Sequence, residues 1–181
     1  INNHYNLYSP SQKKFIKIIK KKYSLDFIVK EIEKIKNLKI FLVGETIIDQ
    51  YIFGEVLGKS GKEPHLVMQQ EIKEQYLGGA AAIANHLSTF CNKIEFSTII
   101  GDKKDFLPFV RKNLRKNINI SYLFKEGSPT ILKTRFIDKI SNNKLLGVYD
   151  LNDNKLNIKL EKKLQNHIKK VSKKVDLILI S

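Results

Sequence analysis

The chain has 181 residues, 42% of them hydrophobic, and a formal net charge of +15 from 33 Lys and Arg against 18 Asp and Glu. That is enough for one packed domain, and the single cysteine, Cys91, excludes an internal disulfide and is expected to be a buried free thiol. No run approaches the ~18 apolar residues of a membrane span, and residues 1–20 are polar and basic rather than a leader, so the expectation is a cytoplasmic protein with no membrane partner.

The charge invites a nucleic-acid reading, but only Arg111, Arg115 and Arg135 supply the forked guanidinium that phosphate and base readers favour. The lysines are spread along the chain among Ile and Asn. A solvated basic surface is expected, and no nucleic-acid partner. A basic nucleic-acid-binding protein is kept as a competing class, which salt-sensitive retention on DNA or RNA would reveal.

Residues 1–9 lack periodicity. Ser9-Pro10 opens a helical pattern with Phe15, Ile16, Ile18, Ile19 and Tyr23 among lysines. Ser24 caps a second pattern, with Leu25, Phe27, Ile28, Ile32 and Ile35 at helical spacing, ending at Asn37. Residues 1–37 are read as a helical linker or extension, with a membrane-surface amphipath as the alternative, because six lysines lie between Lys13 and Lys22.

Lys39–Gly44 is a short apolar run that fits a buried parallel strand. Two separate extended pieces follow, near Tyr51–Val56 and His65–Gln70. Gly78–Phe90 reads as a helix, Lys93–Ile100 as a strand, and Asp105–Leu114 as a helix with Pro108 in its first turn. Asn119–Phe124 is a strand, and Thr130–Asp138 pairs with Lys144–Tyr149 through Ser141-Asn142-Asn143. Leu156–Lys173 is an amphipathic helix presenting Leu160, Leu164, Ile168 and Val171, and Val175–Ser181 is a strand. Strands alternating with helices from residue 39 onward give an α/β fold with a mainly parallel sheet. The extended pieces before the first of those helices read as a small β-flap over about residues 51–76. Because the sequence opens on Ile1 and closes on a strand, it is expected to be a piece of a longer polypeptide.

The stretch Gly58-Lys59-Ser60 looks like the end of a Walker A phosphate loop. The full pattern needs a Gly five residues before Gly58, directly after a strand and directly before a helix. That position is Phe53, and Pro64 with a β-like stretch stands where the helix should start. Without a helix N-terminus the loop has no converging N–H groups for an anion. It is read as the turn of the flap. His65, His86 and His167 have no spacing suited to a metal, and none is expected.

A set of motifs in order carries a resemblance: Gly44-Glu-Thr-Ile-Ile-Asp49-Gln-Tyr51, Gly54, Pro64, Tyr76-Leu-Gly78-Gly79-Ala-Ala81, Ile100-Gly-Asp102, and Pro129-Thr-Ile-Leu-Lys133-Thr-Arg135. From about Lys39 to Ser181 the chain resembles the N-terminal half of a ribokinase-like (PfkB-type) carbohydrate kinase. Within that group it is most similar to the kinase part of the bifunctional heptose 7-phosphate kinase/heptose 1-phosphate adenylyltransferases of ADP-heptose synthesis. The resemblance implies an incomplete ribokinase-like domain over 38–181, with residues 51–76 as the β-lid that covers the sugar. It implies that Asp49 binds sugar hydroxyls, since a carboxylate accepts from two at once. Gly78 and Gly79 would bring backbone close to the sugar, where a Cβ would intrude. Lys133 and Arg135 would hold a phosphate already on the substrate.

It implies ATP and Mg²⁺ as cofactors, bound mainly by a C-terminal half that residues 1–181 do not include. The catalytic base, an Asp of a Gly-Ala-Gly-Asp motif, would lie there too, beyond Ser181. The fragment alone is expected to be inactive. A sugar phosphate is the implied small-molecule partner, with a homodimer through the lid and a fused adenylyltransferase domain as further partners. Departures are visible: the usual Asn after Gly-Gly-Ala-Ala is Ala82, for which Asn85 or His86 is considered as a substitute, and a usual Arg is Gly147. The alternatives are a kinase for another sugar or nucleoside, or a non-catalytic sugar-binding module.

Overall fold

The computed structural model describes residues 7–151 and 153–181. The opening of the proposed N-terminal extension, residues 1–6, lies outside the described residues. The chain divides into two compact units, Ile1–Asn37 and Leu38–Ser181.

The first unit holds two helices, α1 (Pro10–Lys22) and α2 (Leu25–Ile35). Ser9 caps α1 reciprocally: its hydroxyl accepts from the Gln12 N–H, and the Gln12 side chain accepts from the Ser9 N–H at 2.7 Å. Two orphan donors of the first turn are satisfied at once. Tyr23 turns extended and stops the helix. Ser24 then caps α2 by accepting from the Phe27 N–H at 3.1 Å. The Tyr23 and Phe27 rings stack at 5.2 Å across this joint. Neither helix has a buried residue.

The second unit runs β1 (Ile40–Lys59), β2 (Leu66–Gly78), α3 (Gly79–Leu87), β3 (Ile94–Gly101), α4 (Leu107–Asn113), β4 (Ile118–Lys125), β5 (Ile131–Asp138), β6 (Lys144–Asp150), α5 (Ile158–Ser172) and β7 (Leu177–Ile180). The start of β1 pairs in parallel with β3 on one side and β7 on the other, and β3 pairs in parallel with β4. This four-stranded parallel layer explains the unbroken apolar run Ile40-Phe41-Leu42-Val43, which is buried on both faces. On one face Ile40, Leu42, Ile94 and Phe96 pack with Ala80, Ala81 and Ala84 of α3, whose small side chains let the helix lie close to the sheet. On the other, Phe41 meets His167 of α5 edge to face at 5.7 Å. Cys91 is a buried free thiol, and burial pushes its pKa up.

β1 does not break after Gly44. It continues for 20 residues into a second layer, pairing antiparallel with β2 over Ile47–Lys59 and in parallel with β5 over Ile47–Gly54, while β5 pairs antiparallel with β6. A strand ending at Gly44 and a separate extended piece near Tyr51–Val56 were expected here, with Thr46 and Gln50 between them. The strand persists because those residues find partners inside the sheet. The buried hydroxyls of Thr46 and Thr98 bond at 2.7 Å. Gln50, also buried, donates to Thr134 Oγ1 at 3.0 Å and accepts from Gln75 at 2.7 Å. The flap pairing is accordingly wider than residues 51–76. The Ser60–His65 connection is its turn, closed by the Ser60 N–H donating to the His65 carbonyl at 2.9 Å.

The Thr46–Thr98 pair gives a direct test. Thr98→Val removes one partner and strands the other hydroxyl in a dry layer. Urea unfolding should show a loss of about 1–3 kcal/mol. Thr46→Val/Thr98→Val together should recover part of it, since no unpaired group is left.

Candidate functional site

The alternation of side chains along β1 puts Asp49 and Tyr51 on one face of the flap and Ile48, Gln50 and Ile52 on the other. The second set is buried, at 0%, 7% and 8% exposure, so the first set is turned to the open side. Parallel pairing aligns Asp49 with Lys133 and Tyr51 with Arg135. Antiparallel pairing sets Asp49 opposite Tyr76 on β2 and Lys133 opposite Tyr149 on β6. Residues distant in sequence thus meet on one face: a carboxylate, two cations and three tyrosines.

Asp49 Oδ1 accepts from Arg135 Nη1 at 2.6 Å, with both side chains about three-quarters or more buried. That hydrogen bond raises the Arg135 pKa above its ordinary value, so the guanidinium is charged at every working pH. Its planar group also lies 5.4 Å from the Tyr51 ring and 5.7 Å from the Tyr149 ring. Lys133 Nζ stands 5.8 Å over the same Tyr149 ring. Tyr51 and Tyr76 meet edge to face at 6.0 Å, and the Tyr76 hydroxyl donates to Glu74 Oε2 at 2.6 Å.

The two glycines close the site from the other side. A Cβ on Gly78 would lie 2.3 Å from Asp49 Oδ2, so the second carboxylate oxygen rests against bare backbone. Gly79 adopts φ +54 and opens α3, with the Glu45 carbonyl 2.6 Å from where a Cβ would be. Left-handed backbone in so tight a place is glycine's territory.

All five residues singled out from sequence therefore sit together: Asp49, Gly78, Gly79, Lys133 and Arg135. Their arrangement differs from the expectation in one respect. Arg135 is engaged with Asp49 rather than standing apart as half of a cationic pair. Asn85 is not a substitute for the missing Asn. Its side chain donates to the Asn113 carbonyl at 2.9 Å and accepts from the Arg115 N–H at 3.1 Å, tying α3 to the turn after α4. His86 is exposed. Sequence reasoning missed Tyr51, Tyr76 and Tyr149. Tyr51 could have been found from its two-residue spacing to Asp49, but Tyr76 and Tyr149 come into range only through the register of β2 and β6.

The chemistry on this face suits a polyhydroxylated anion. Asp49 accepts only, Lys133 and Arg135 donate only, and tyrosine rings offer flat apolar surface for C–H groups. Among the described residues, no group of three His, Cys, Asp or Glu could hold a metal ion. The Walker-like Gly58-Lys59-Ser60 lies in a strand end and a turn, not at a helix N-terminus.

No family model matches the chain. The chain is similar to the bifunctional protein HldE of a Nitratiruptor species, 28% identical over 143 residues, or 79% of this chain and 30% of that one. It is also 29% identical over 144 residues to HldE of a Helicobacter pylori strain, covering 79% of this chain and 31% of the relative. It therefore spans under a third of the length of these relatives. Among solved structures, a possible 1-phosphofructokinase from Thermotoga maritima aligns with TM-score 0.58 and 17% identity, over 78% of this chain and 44% of that one. Phosphofructokinase-2 from Escherichia coli, solved with fructose-6-phosphate, aligns with TM-score 0.57 and 11% identity, over 80% and 45%. At such identity the structural likeness speaks for fold alone. The fold is ribokinase-like, an α/β architecture with a mostly parallel sheet, and the similarity to HldE extends over most of the chain.

Proposed function

We propose that residues 38–181 form the sugar-holding, lid-bearing half of an ATP-dependent carbohydrate kinase whose substrate is a heptose 7-phosphate on the way to ADP-heptose. The observation that carries the reading is the Asp49 carboxylate, held by Arg135 against the Gly78 backbone on the open face of the flap. Asp49 accepts hydrogen bonds from two sugar hydroxyls through the lone pairs Arg135 leaves free. Arg135 fixes the carboxylate's orientation and turns its remaining N–H groups to the ligand. Lys133 neutralises the phosphate the sugar already bears. The tyrosines line the face and limit water when the flap is closed. The similarity to HldE supports the heptose, and the flap face supports a sugar phosphate.

ATP and Mg²⁺ belong to residues outside 1–181 in this reading, as does the base that takes the proton from the accepting hydroxyl. The protein acts in the cytoplasm. A fused adenylyltransferase domain and a homodimer through the lid are part of the same proposal. The dimer is supported by β6, whose seven residues are all exposed at the edge of the flap sheet.

The test is a calorimetric titration of heptose 7-phosphate into the 181-residue chain, with an assay for sugar-dependent ATP turnover beside it. Saturable binding without turnover is the expected result. Binding of fructose 6-phosphate or a nucleoside in preference to the heptose would move the chain to another ribokinase-like activity. Turnover by the chain alone would overturn the placement of base and nucleotide outside it.

A further inference from the structure

The helical unit, which the kinase reading does not use, points to a second surface. In α1, Lys13, Lys17 and Lys20, and beside them Lys14 and Lys21, recur three and four residues apart and so form one side of the helix. The opposite side carries Phe15, Ile18 and Ile19 at the same spacing and ends on Lys22. The helix contains no acidic residue, so its sequence carries six positive charges in 13 residues. In α2, Leu25, Ile28, Val29, Ile32 and Ile35 make a second apolar stripe.

Within the helical unit these stripes are left uncovered. Phe15 is 63% exposed, Ile18 53%, Leu25 75% and Ile32 53%. An open, largely apolar cleft lies between the helices, lined by Phe15, Ile19, Phe27, Ile28 and Ile32 with one acid, Glu31, which is paired with Lys34. So much exposed apolar surface on a small unit marks a docking face.

Charge selects the occupant. The two helices carry eight lysines against Asp26, Glu31 and Glu33, so a second copy would set one net-positive unit against another and meet repulsion. The face needs a partner that is both negative and able to accept Phe and Ile side chains. We propose that the α1–α2 unit lies flat on an anionic phospholipid surface, with the lysines at the lipid phosphates and Phe15 and Ile18 in the acyl boundary. The 13 residues of α1 span about 20 Å, and no helix of the described residues is long and apolar enough to cross a membrane. The helices lie on the surface rather than through it. This is the alternative that the lysine-rich sequence of residues 13–22 left open, and it is independent of the sugar site.

Sedimentation of the 181-residue chain with vesicles of phosphatidylglycerol and phosphatidylcholine tests it, against vesicles of phosphatidylcholine alone. Binding to the anionic vesicles should be at least ~10-fold tighter and weaken with salt. Lys17→Gln/Lys20→Gln/Lys21→Gln should weaken it roughly 100-fold, at about fivefold per lysine near a charged surface. Phe15→Ser/Ile18→Ser keeps the charge and should still lose ~10-fold or more, through lost apolar burial. Lys162→Gln/Lys163→Gln/Lys169→Gln in α5 removes the same charge elsewhere and should leave binding within about twofold. Helicity by circular dichroism confirms that each variant is folded. No sedimentation with anionic vesicles overturns the proposal. So does equal weakening by the α5 substitutions, which would make the net charge responsible, or binding indifferent to Phe15→Ser/Ile18→Ser, which would point to a purely polar partner such as RNA.

Discussion

Asp49→Ala should weaken heptose 7-phosphate binding by at least roughly 100-fold, the effect of losing two charge-assisted hydrogen bonds at about 1.5–3 kcal/mol each. The proposed site gives no other carboxylate that role. Glu74, the nearest acid on β2 that faces the same side, is occupied by the Tyr76 hydroxyl at 2.6 Å. The substitution also releases Arg135, which loses its 2.6 Å partner and keeps the flanking Tyr51 and Tyr149 rings. Asp49→Asn separates the two roles. It preserves shape and one acceptor but no longer neutralises Arg135. Its binding should fall between wild type and Asp49→Ala, while Arg135→Met should cost roughly 10-fold by freeing the carboxylate to rotate. Titration calorimetry reads all three. Equal affinity for wild type and Asp49→Ala would remove Asp49 from the site altogether.

How far the sequence carried is clearest at this face. The strands and helices that build the parallel layer were legible from their apolar residues: the unbroken run Ile40–Val43, the alanines of α3, and the apolar positions of β3 and β4. The flap was legible as extended chain but not as one strand. Thr46 and Gln50 look like loop residues until Thr98, Thr134 and Gln75 are placed beside them, and that pairing spans up to 84 residues of sequence. The five site residues came from a resemblance in motif order. Their contact with one another is a property of register. Lys133 and Arg135 are two apart, as are Asp49 and Tyr51, but only the pairing Asp49–Lys133 and Tyr51–Arg135 sets guanidinium against carboxylate. The tyrosine at position 149 and the helical unit's uncovered stripes show the same limit. Amphipathicity is local and readable, whereas what an exposed face meets is not.

The adjacent glycines at the site should fail in different ways, and the contrast tests the geometry more sharply than either alone. Gly79 has φ +54, and its Cβ would lie 2.6 Å from the Glu45 carbonyl and 2.9 Å from the Ile47 side chain. Both strain and clash fall on backbone that cannot yield without moving β1 from α3. Gly79→Ala should cost about 2–4 kcal/mol, combining a left-handed residue with an overpacked contact, and urea unfolding should show it. Gly78 is extended, at φ −117, and imposes no such strain. Its Cβ would instead meet Asp49 Oδ2 at 2.3 Å, the tip of a side chain that can turn away. Gly78→Ala should therefore stay within about 1 kcal/mol of wild type in stability and yet weaken heptose 7-phosphate binding nearly as much as Asp49→Ala. If Gly78→Ala bound the sugar normally, the carboxylate would not need the place it holds against the bare backbone. If Gly79→Ala were as stable as wild type, the turn into α3 would have a second conformation open to an ordinary residue. A binding defect without a stability defect at 78, and the reverse ordering at 79, is the pattern expected of a strand-to-helix joint in which one glycine makes room for the ligand's carboxylate partner and the next lets the helix begin.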